Sequence, residues 1–217
     1  MSTRGMLWRG AALAVAVCVP LAAANVTVYN NFGPEYDGWG YNWGLGWTIA
    51  GENVDEQYGV EQALAFTPSE SGSLSDIWMP VWRVPFETNP DIVTIRLVTN
   101  PNNLPPQPGD VLEEWTLTEF PGWSDWAAPH HLESLNAPYL EAGQSYWIWA
   151  IGGETTWCGW AMNPEPTYTM PHTLRREGQD WLGITNDTGS ALRVDVVPEP
   201  GSLVLLLAAG ALLARKR

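Results

Sequence analysis

Proline and glycine recur so often through the middle of this chain that little of it can be helical. Of 217 residues, 18 are proline and 21 are glycine. Proline breaks a helix interior, and glycine there costs about 1 kcal/mol relative to alanine. The apolar runs between them are short and often alternate, which is the period of a strand. Residues 91–98 place Val93, Ile95 and Leu97 on one face and Thr94 and Arg96 on the other. Residues 144–151 are apolar on both faces, which suits a central strand. Further strands are expected at 26–30, 46–50, 61–66, 74–79, 111–117, 157–162 and 191–197, while 100–109 has the composition of a turn or loop. About eight to ten short strands in one domain predict an all-β fold, a single antiparallel β-sandwich of jelly-roll type. A closed barrel is the next choice. No repeat of solenoid or propeller period stands out.

The two ends differ from this middle. Arg4 and Arg9 make a positive start, residues 10–19 are mostly apolar, and Ala22, Ala23 and Ala24 supply small residues before Asn25. That layout predicts a secretory signal peptide at residues 1–24, cleaved after Ala24. A buried N-terminal helix is the alternative, and the basic start and small-residue exit argue against it. Cys18 follows Val15, Ala16 and Val17, without the small neighbour of a lipidated cysteine, so it reads as part of the discarded segment. Residues 25–196 then form the domain.

Residues 197–217 close the chain. Pro198, Glu199, Pro200 and Gly201 interrupt secondary structure, residues 203–214 are apolar, and Arg215, Lys216 and Arg217 are basic. A twelve-residue helix rises only about 18 Å, against a bilayer core of about 30 Å. A basic cluster behind an apolar segment stays cytoplasmic, which leaves residues 25–197 outside that membrane. The order of motif, apolar helix and basic end resembles the PEP-CTERM sorting signal of bacterial exported proteins, over roughly the last twenty residues. The resemblance implies a partner, an exosortase-type membrane enzyme that cuts at or near Pro198, Glu199 and Pro200. It also implies transient membrane insertion as an inner-membrane intermediate, then transfer to the cell surface or extracellular matrix of a bacterium that makes exopolysaccharide. A short segment suits a pause in the bilayer, helped by snorkelling of the basic end. An unprocessed single-span anchor is the alternative.

Without its ends the domain keeps five arginines, no lysine and 23 of the 24 carboxylates, a net charge of −18. Such a surface repels nucleic acid and anionic lipid, and nucleic-acid binding is excluded. Carboxylates attract calcium, but no D-x-[DN]-x-[DN]-G loop occurs. Asp37-Gly38, Asn53 to Glu56 and Asn186-Asp187 read more simply as solvated turns. A structural calcium stays open without an assigned site, and no cofactor is expected. Cys158 is the one cysteine of the domain, so no internal disulfide forms. It is expected to be an inert buried thiol, with an intermolecular disulfide as the alternative.

The order of segments carries a second resemblance. Glu61 to Pro68, Gly72 to Ile77, Val93 to Leu97, Pro108 to Leu117 and Leu140 to Trp147 follow one another as in the choice-of-anchor class of bacterial surface domains, particularly the R type. The likeness covers roughly residues 55–155 and implies one β-sandwich module joined to a sorting signal. The class has no general activity to pass on. The insertion of residues 78–86 and the Trp-rich start depart from its pattern.

Thirteen tryptophans lie outside the signal segment. An indole can fill a core or stack on the apolar face of a sugar ring. Trp147, Trp149 and Trp115 are assigned to packing by their strand positions. Residues 36–47 differ, because four glycines prevent a stable helix there. If extended, Trp39, Trp43 and Trp47 share a face at intervals of roughly 13 Å. Residues 120–126 carry Trp123 and Trp126. Either segment could make an aromatic platform beside Asp37, Asn42 or Asp125, although loops that fold back as aromatic core are the simpler account of any single tryptophan.

No hydrolase, zinc-protease, P-loop or dinucleotide motif occurs. On a strand, His131 and Glu133 would share a face with His130 turned away. A metal there needs a third ligand, and His172 is the one remaining histidine. The expectation is an exported non-catalytic surface or matrix protein that binds exopolysaccharide through exposed tryptophans. A purely structural surface protein and a glycan-active hydrolase are the alternatives.

Overall fold

The structure is a computed structural model. It describes residues 24–33, 40–54, 59–84, 92–100, 109–123, 125, 128–163, 172–176, 180–184 and 188–199, with the backbone alone at 43, 172–176 and 184. Each segment of alternating character becomes a strand that turns its apolar side chains to one face. In chain order these are β1 (Val26–Asn30), β2 (Asn42–Ala50), β3 (Val60–Phe66), β4 (Gly72–Met79), β5 (Val81–Arg83), β6 (Val93–Thr99) and β7 (Val111–Leu117). They continue as β8 (His130–Glu133), β9 (Tyr139–Leu140), β10 (Tyr146–Gly152), β11 (Trp157–Met162), β12 (His172–Arg176), β13 (Leu182–Ile184) and β14 (Arg193–Val197). Among the described residues there is no helix. The all-β expectation holds, with more strands than periodicity alone reveals.

The strands make two antiparallel sheets. One runs β1-β14-β4-β8, with β9 also on β4; the other runs β5-β11-β2-β3-β10-β6-β7, with β12 on β3 and β13 on β12. Their inward faces share one core. Val28, Leu74, Ile77, Leu132, Val194 and Val196 of the five-stranded sheet meet Ile49, Leu64, Phe66, Ile95, Leu97, Ile148 and Trp160 of the larger one. Full burial of a large aliphatic or aromatic side chain contributes about 1.5–3 kcal/mol, so this shared face is what holds the sandwich-like arrangement together.

β10 is the interior strand that its composition predicts. It lies between β3 and β6, with Ile148 opposite both Leu64 and Leu97. Its other face is also apolar: Trp147 packs with Ala63, Ala65 and Val98 in a second cluster, covered in part by Trp149 and Trp181.

β2 departs from the expected pattern. It begins at Asn42 rather than Gly46. Opposite β11, Ala161 pairs with Gly46 but Met162 pairs with Asn42, so residues 43–45 bulge out of register. A bulge breaks the even alternation on which a shared face for Trp43 and Trp47 depends.

The edge of the larger sheet is tied across to the smaller one. Glu113 on β7 is buried and accepts hydrogen bonds from Ser134 Oγ, Leu135 N and Asn136 N in the turn between β8 and β9. Trp115 Nε1, two residues along β7, donates to Glu133 O at 2.9 Å.

Candidate functional site

The tryptophans divide by strand position. Trp160 is buried in the shared core, and Trp47 lies directly opposite it on β2, so both indoles point to the same side. Their N–H groups reach one stretch of backbone: Trp160 Nε1 donates to Ala191 O and Trp47 Nε1 to Thr188 O, each at 2.8 Å. Together they pin the segment that leads into β14. Trp47 is half-buried there. Trp115 packs against the core edge, and Trp147 and Trp149 are packed as expected, though on the outer face of the larger sheet. Trp149 Nε1 donates to Glu61 Oε2 at 2.8 Å, Trp181 meets its ring edge-on, and the Arg96 guanidinium lies 5.2 Å from its centroid.

Trp82 uses glycines as its floor. It lies opposite Gly159, and a Cβ added to Gly159 would stand 2.5 Å from the indole, as one on Gly46 would stand 3.0 Å from it. Only a residue without a side chain lets the ring lie this close to the sheet.

Among the described tryptophans Trp123 is the exposed one, at 44%. Its backbone is nonetheless fixed. Arg83 N donates to Pro121 O, Trp123 N donates to Arg83 O, and Gly122 bridges to β5 as a short parallel pair. Asp125 closes the turn, with its N donating to Gly122 O and its carboxylate accepting from Gly122 N. The result is an open indole and an exposed carboxylate on a turn anchored beside Trp82. Asn42 serves the β2 bulge instead, accepting from Gly44 N at 3.1 Å. Asp37, Trp39, Trp126 and the Trp43 side chain lie outside the described residues, so of the residues expected to form a platform at 36–47 only Asn42 and Trp47 are described with side chains.

Sequence reasoning did not foresee the outer face of the five-stranded sheet. There Arg193, Trp78 and His131 are cross-strand neighbours, and so are Thr27, Asp195, Asp76 and Glu133. His131 stacks on Trp78 with centroids 4.1 Å apart, and the Arg193 guanidinium lies 5.8 Å from the same ring. Asp195 is buried and accepts from Thr27 Oγ1, Trp78 Nε1 and Arg193 Nε. Asp76 accepts from Asn25 Nδ2 and holds the His131 imidazole. Carboxylates set opposite one another repel, and here the arginine, the imidazole and the neutral donors offset that repulsion. The network fastens β1 to the sheet and occupies the Trp78 indole. The signal for it in the sequence was the strand pattern of residues 130–133: Leu132 is buried, while His131 and Glu133 share the outer face.

His130 turns away, as that alternation requires. Its Nε2 lies 3.0 Å from Val81 O, and the Phe120 ring meets it edge-on. Burial holds its pKa below the ordinary imidazole value, with the Val81 carbonyl acting weakly in the other direction. Burial also raises the Tyr29 and Tyr41 phenols, which stay neutral. Cys158 is buried in the core, in keeping with an inert thiol. His172 belongs to β12, in the other sheet from His131. Among the described residues no group of three His, Cys, Asp or Glu side chains is arranged to hold a metal ion.

At the ends, Ala24, Asn25 and Glu199 are exposed and Pro198 is half-buried directly after β14. The rest of the proposed signal and sorting segments, Pro200 included, lies outside the described residues. No protein-family model matches this chain, and no curated protein matches it.

Proposed function

We propose that this chain is an exported, non-catalytic component of a bacterial cell surface or extracellular matrix. Its two sheets form a jelly-roll-like sandwich, and its tail directs sorting and processing by an exosortase-type enzyme after a transient stay in the inner membrane. The basis for export and sorting is sequence: the basic and apolar start, and the Pro198-Glu199-Pro200 motif followed by an apolar run and Arg215, Lys216 and Arg217. The position of Pro198 and Glu199 just past the last strand is compatible with a cut that leaves the sheets intact.

Exopolysaccharide is the proposed ligand. The observation that carries this is Trp123, an open indole on a fixed turn with the Asp125 carboxylate two residues away. A rigid aromatic face beside a hydrogen-bond acceptor suits the C–H face and hydroxyls of a sugar ring. The test is a fluorescence titration of the protein with exopolysaccharide from its producing organism, alongside Trp123→Ala and Trp47→Ala variants that retain the fold. Saturable binding lost in Trp123→Ala alone supports the reading. Absence of binding in the folded wild type refutes it.

One observation favours a purely structural protein instead. Trp47, Trp78, Trp115, Trp149 and Trp160 all spend their N–H on hydrogen bonds within the domain. The same titration separates the two readings.

A further inference from the structure

The two segments proposed to enter the membrane leave the domain at the same place. β1 and β14 are antiparallel neighbours, with Val26 opposite Val196, so the first residue of one strand lies beside the end of the other. Asn25, just past the proposed signal cleavage, and Pro198, at the proposed sorting cut, therefore emerge from one end of the domain. This end is further defined by two crossings between the sheets, residues 67–71 and 141–145, whose backbones are joined by Gly143 N donating to Pro68 O. The opposite end carries the β10–β11 turn, including Glu154, which pairs through its carbonyl with Asn53 N.

We infer that in the membrane-held precursor this β1–β14 end is the bilayer-facing surface of the domain. The inference rests on the export and sorting proposed above. The spacer lengths favour this orientation. From Val197 to Leu203, where the apolar tail begins, six steps of fully extended chain reach at most about 21 Å. From Leu21, the last large apolar residue of the start, to Val26 the limit is about 18 Å. The seven residues of β10 alone extend about 20 Å. Turning the far end to the bilayer would need both spacers to run the full length of the domain at once. With the near end down, both are relaxed, and the antiparallel pair β1–β14 continues into two segments that cross the membrane in opposite directions.

The surface at this end fits a tethered contact rather than an adhesive one. Tyr139 is exposed there, an amphipathic ring of the type that settles at a lipid–water boundary. At the same end Glu70, Asp110 and Glu141 are exposed carboxylates. These repel an anionic headgroup layer, and no lysine in the domain opposes them. Proximity is thus imposed by the two tethers, and once both are cut the charge drives the domain away.

The test uses the full chain with Cys18→Ser, since Cys158 is buried and does not label in the folded state. A fluorophore is placed on Glu70→Cys at the near end or on Glu154→Cys at the far end, both at exposed turns. The chain is synthesised into phosphatidylethanolamine–phosphatidylglycerol vesicles that contain a headgroup-nitroxide lipid and no processing enzyme. The expected result is quenching several-fold greater at position 70 than at 154, with most of it lost when a protease site placed after Glu199 is cut and the signal segment is absent. Equal quenching, or more at 154, overturns the orientation while leaving membrane insertion intact. A chain that fails to float with the vesicles overturns the insertion reading, and the orientation with it.

Discussion

Replacing Glu113 with alanine is expected to loosen the domain at the seam between its sheets. The carboxylate is 3% exposed and accepts three hydrogen bonds, at 2.5 Å from Ser134 Oγ, 2.6 Å from Leu135 N and 3.1 Å from Asn136 N. A hydrogen bond to a charged group contributes about 1.5–3 kcal/mol, but three sharing one acceptor do not add in full. Leu135 and Asn136 are themselves exposed, so water recovers part of the loss when the carboxylate is removed. The expected cost is about 3 kcal/mol, which for a domain of this size lowers Tm by about 9 °C. Glu114 is the internal control. It pairs with Arg96 at 2.6 Å, but the two side chains are 47% and 32% exposed. Such a surface pair is worth about 0.2–1 kcal/mol, so Glu114→Ala should shift Tm by no more than about 3 °C. Thermal and urea unfolding of both variants decide the matter. Equal losses, or an unchanged Glu113→Ala, would refute the claim that this carboxylate staples the sheets.

Three further outcomes follow from the packing. Because burial depresses the folded pKa of His130 below 6.5, the unfolded chain binds its proton first; stability is full above that pH and falls as the pH drops toward the lower folded value. Urea midpoints between pH 7.5 and 5.5 should show this decline, and His130→Gln should flatten it. Gly159→Ala drives a methyl group into the Trp82 ring and should destabilise by about 1–3 kcal/mol, a loss that shrinks when Trp82→Ala is added, as a double-mutant cycle would read. Cys158, buried in the core, should react with a thiol reagent only at the rate of unfolding, so labelling as fast as that of a small free thiol would contradict its placement.

The strands that were legible are those with enough alternation to betray a face. Val26–Asn30, Val111–Leu117 and Trp157–Met162 fall where the pattern placed them. Val81–Arg83, Tyr139–Leu140 and Leu182–Ile184 are too short to show a period, and they form because a neighbouring strand offers an edge. Residues 42–45 were hidden by glycines around them that signal a loop when read locally. In the fold, Gly46 is needed because the Trp82 ring occupies the space above it. The candidate site was legible in part. Trp123 on its proline–glycine turn was picked out, but the clamp of Trp47 and Trp160 on residues 188–191 depends on a contact 141 residues distant in the chain. The network around Asp195 joins four strands, and no local pattern records such a register.

The position of β14 has a consequence for the order in which the molecule can assemble. Among the described residues the last strand is not at the rim of its sheet but between the first strand and the fourth, and β1 pairs with no other described strand. A chain that emerges from a channel N-terminus first therefore leaves one backbone edge of both β1 and β4 without its partner until nearly two hundred residues have passed. Contacts of such long sequence separation are slow to form, because the loop must close before they stabilise anything. The five-stranded sheet cannot close on a nascent or half-translocated chain, and truncation before Arg193 would remove the bridge outright. Folding of this domain is thus timed by the arrival of its own C-terminal end.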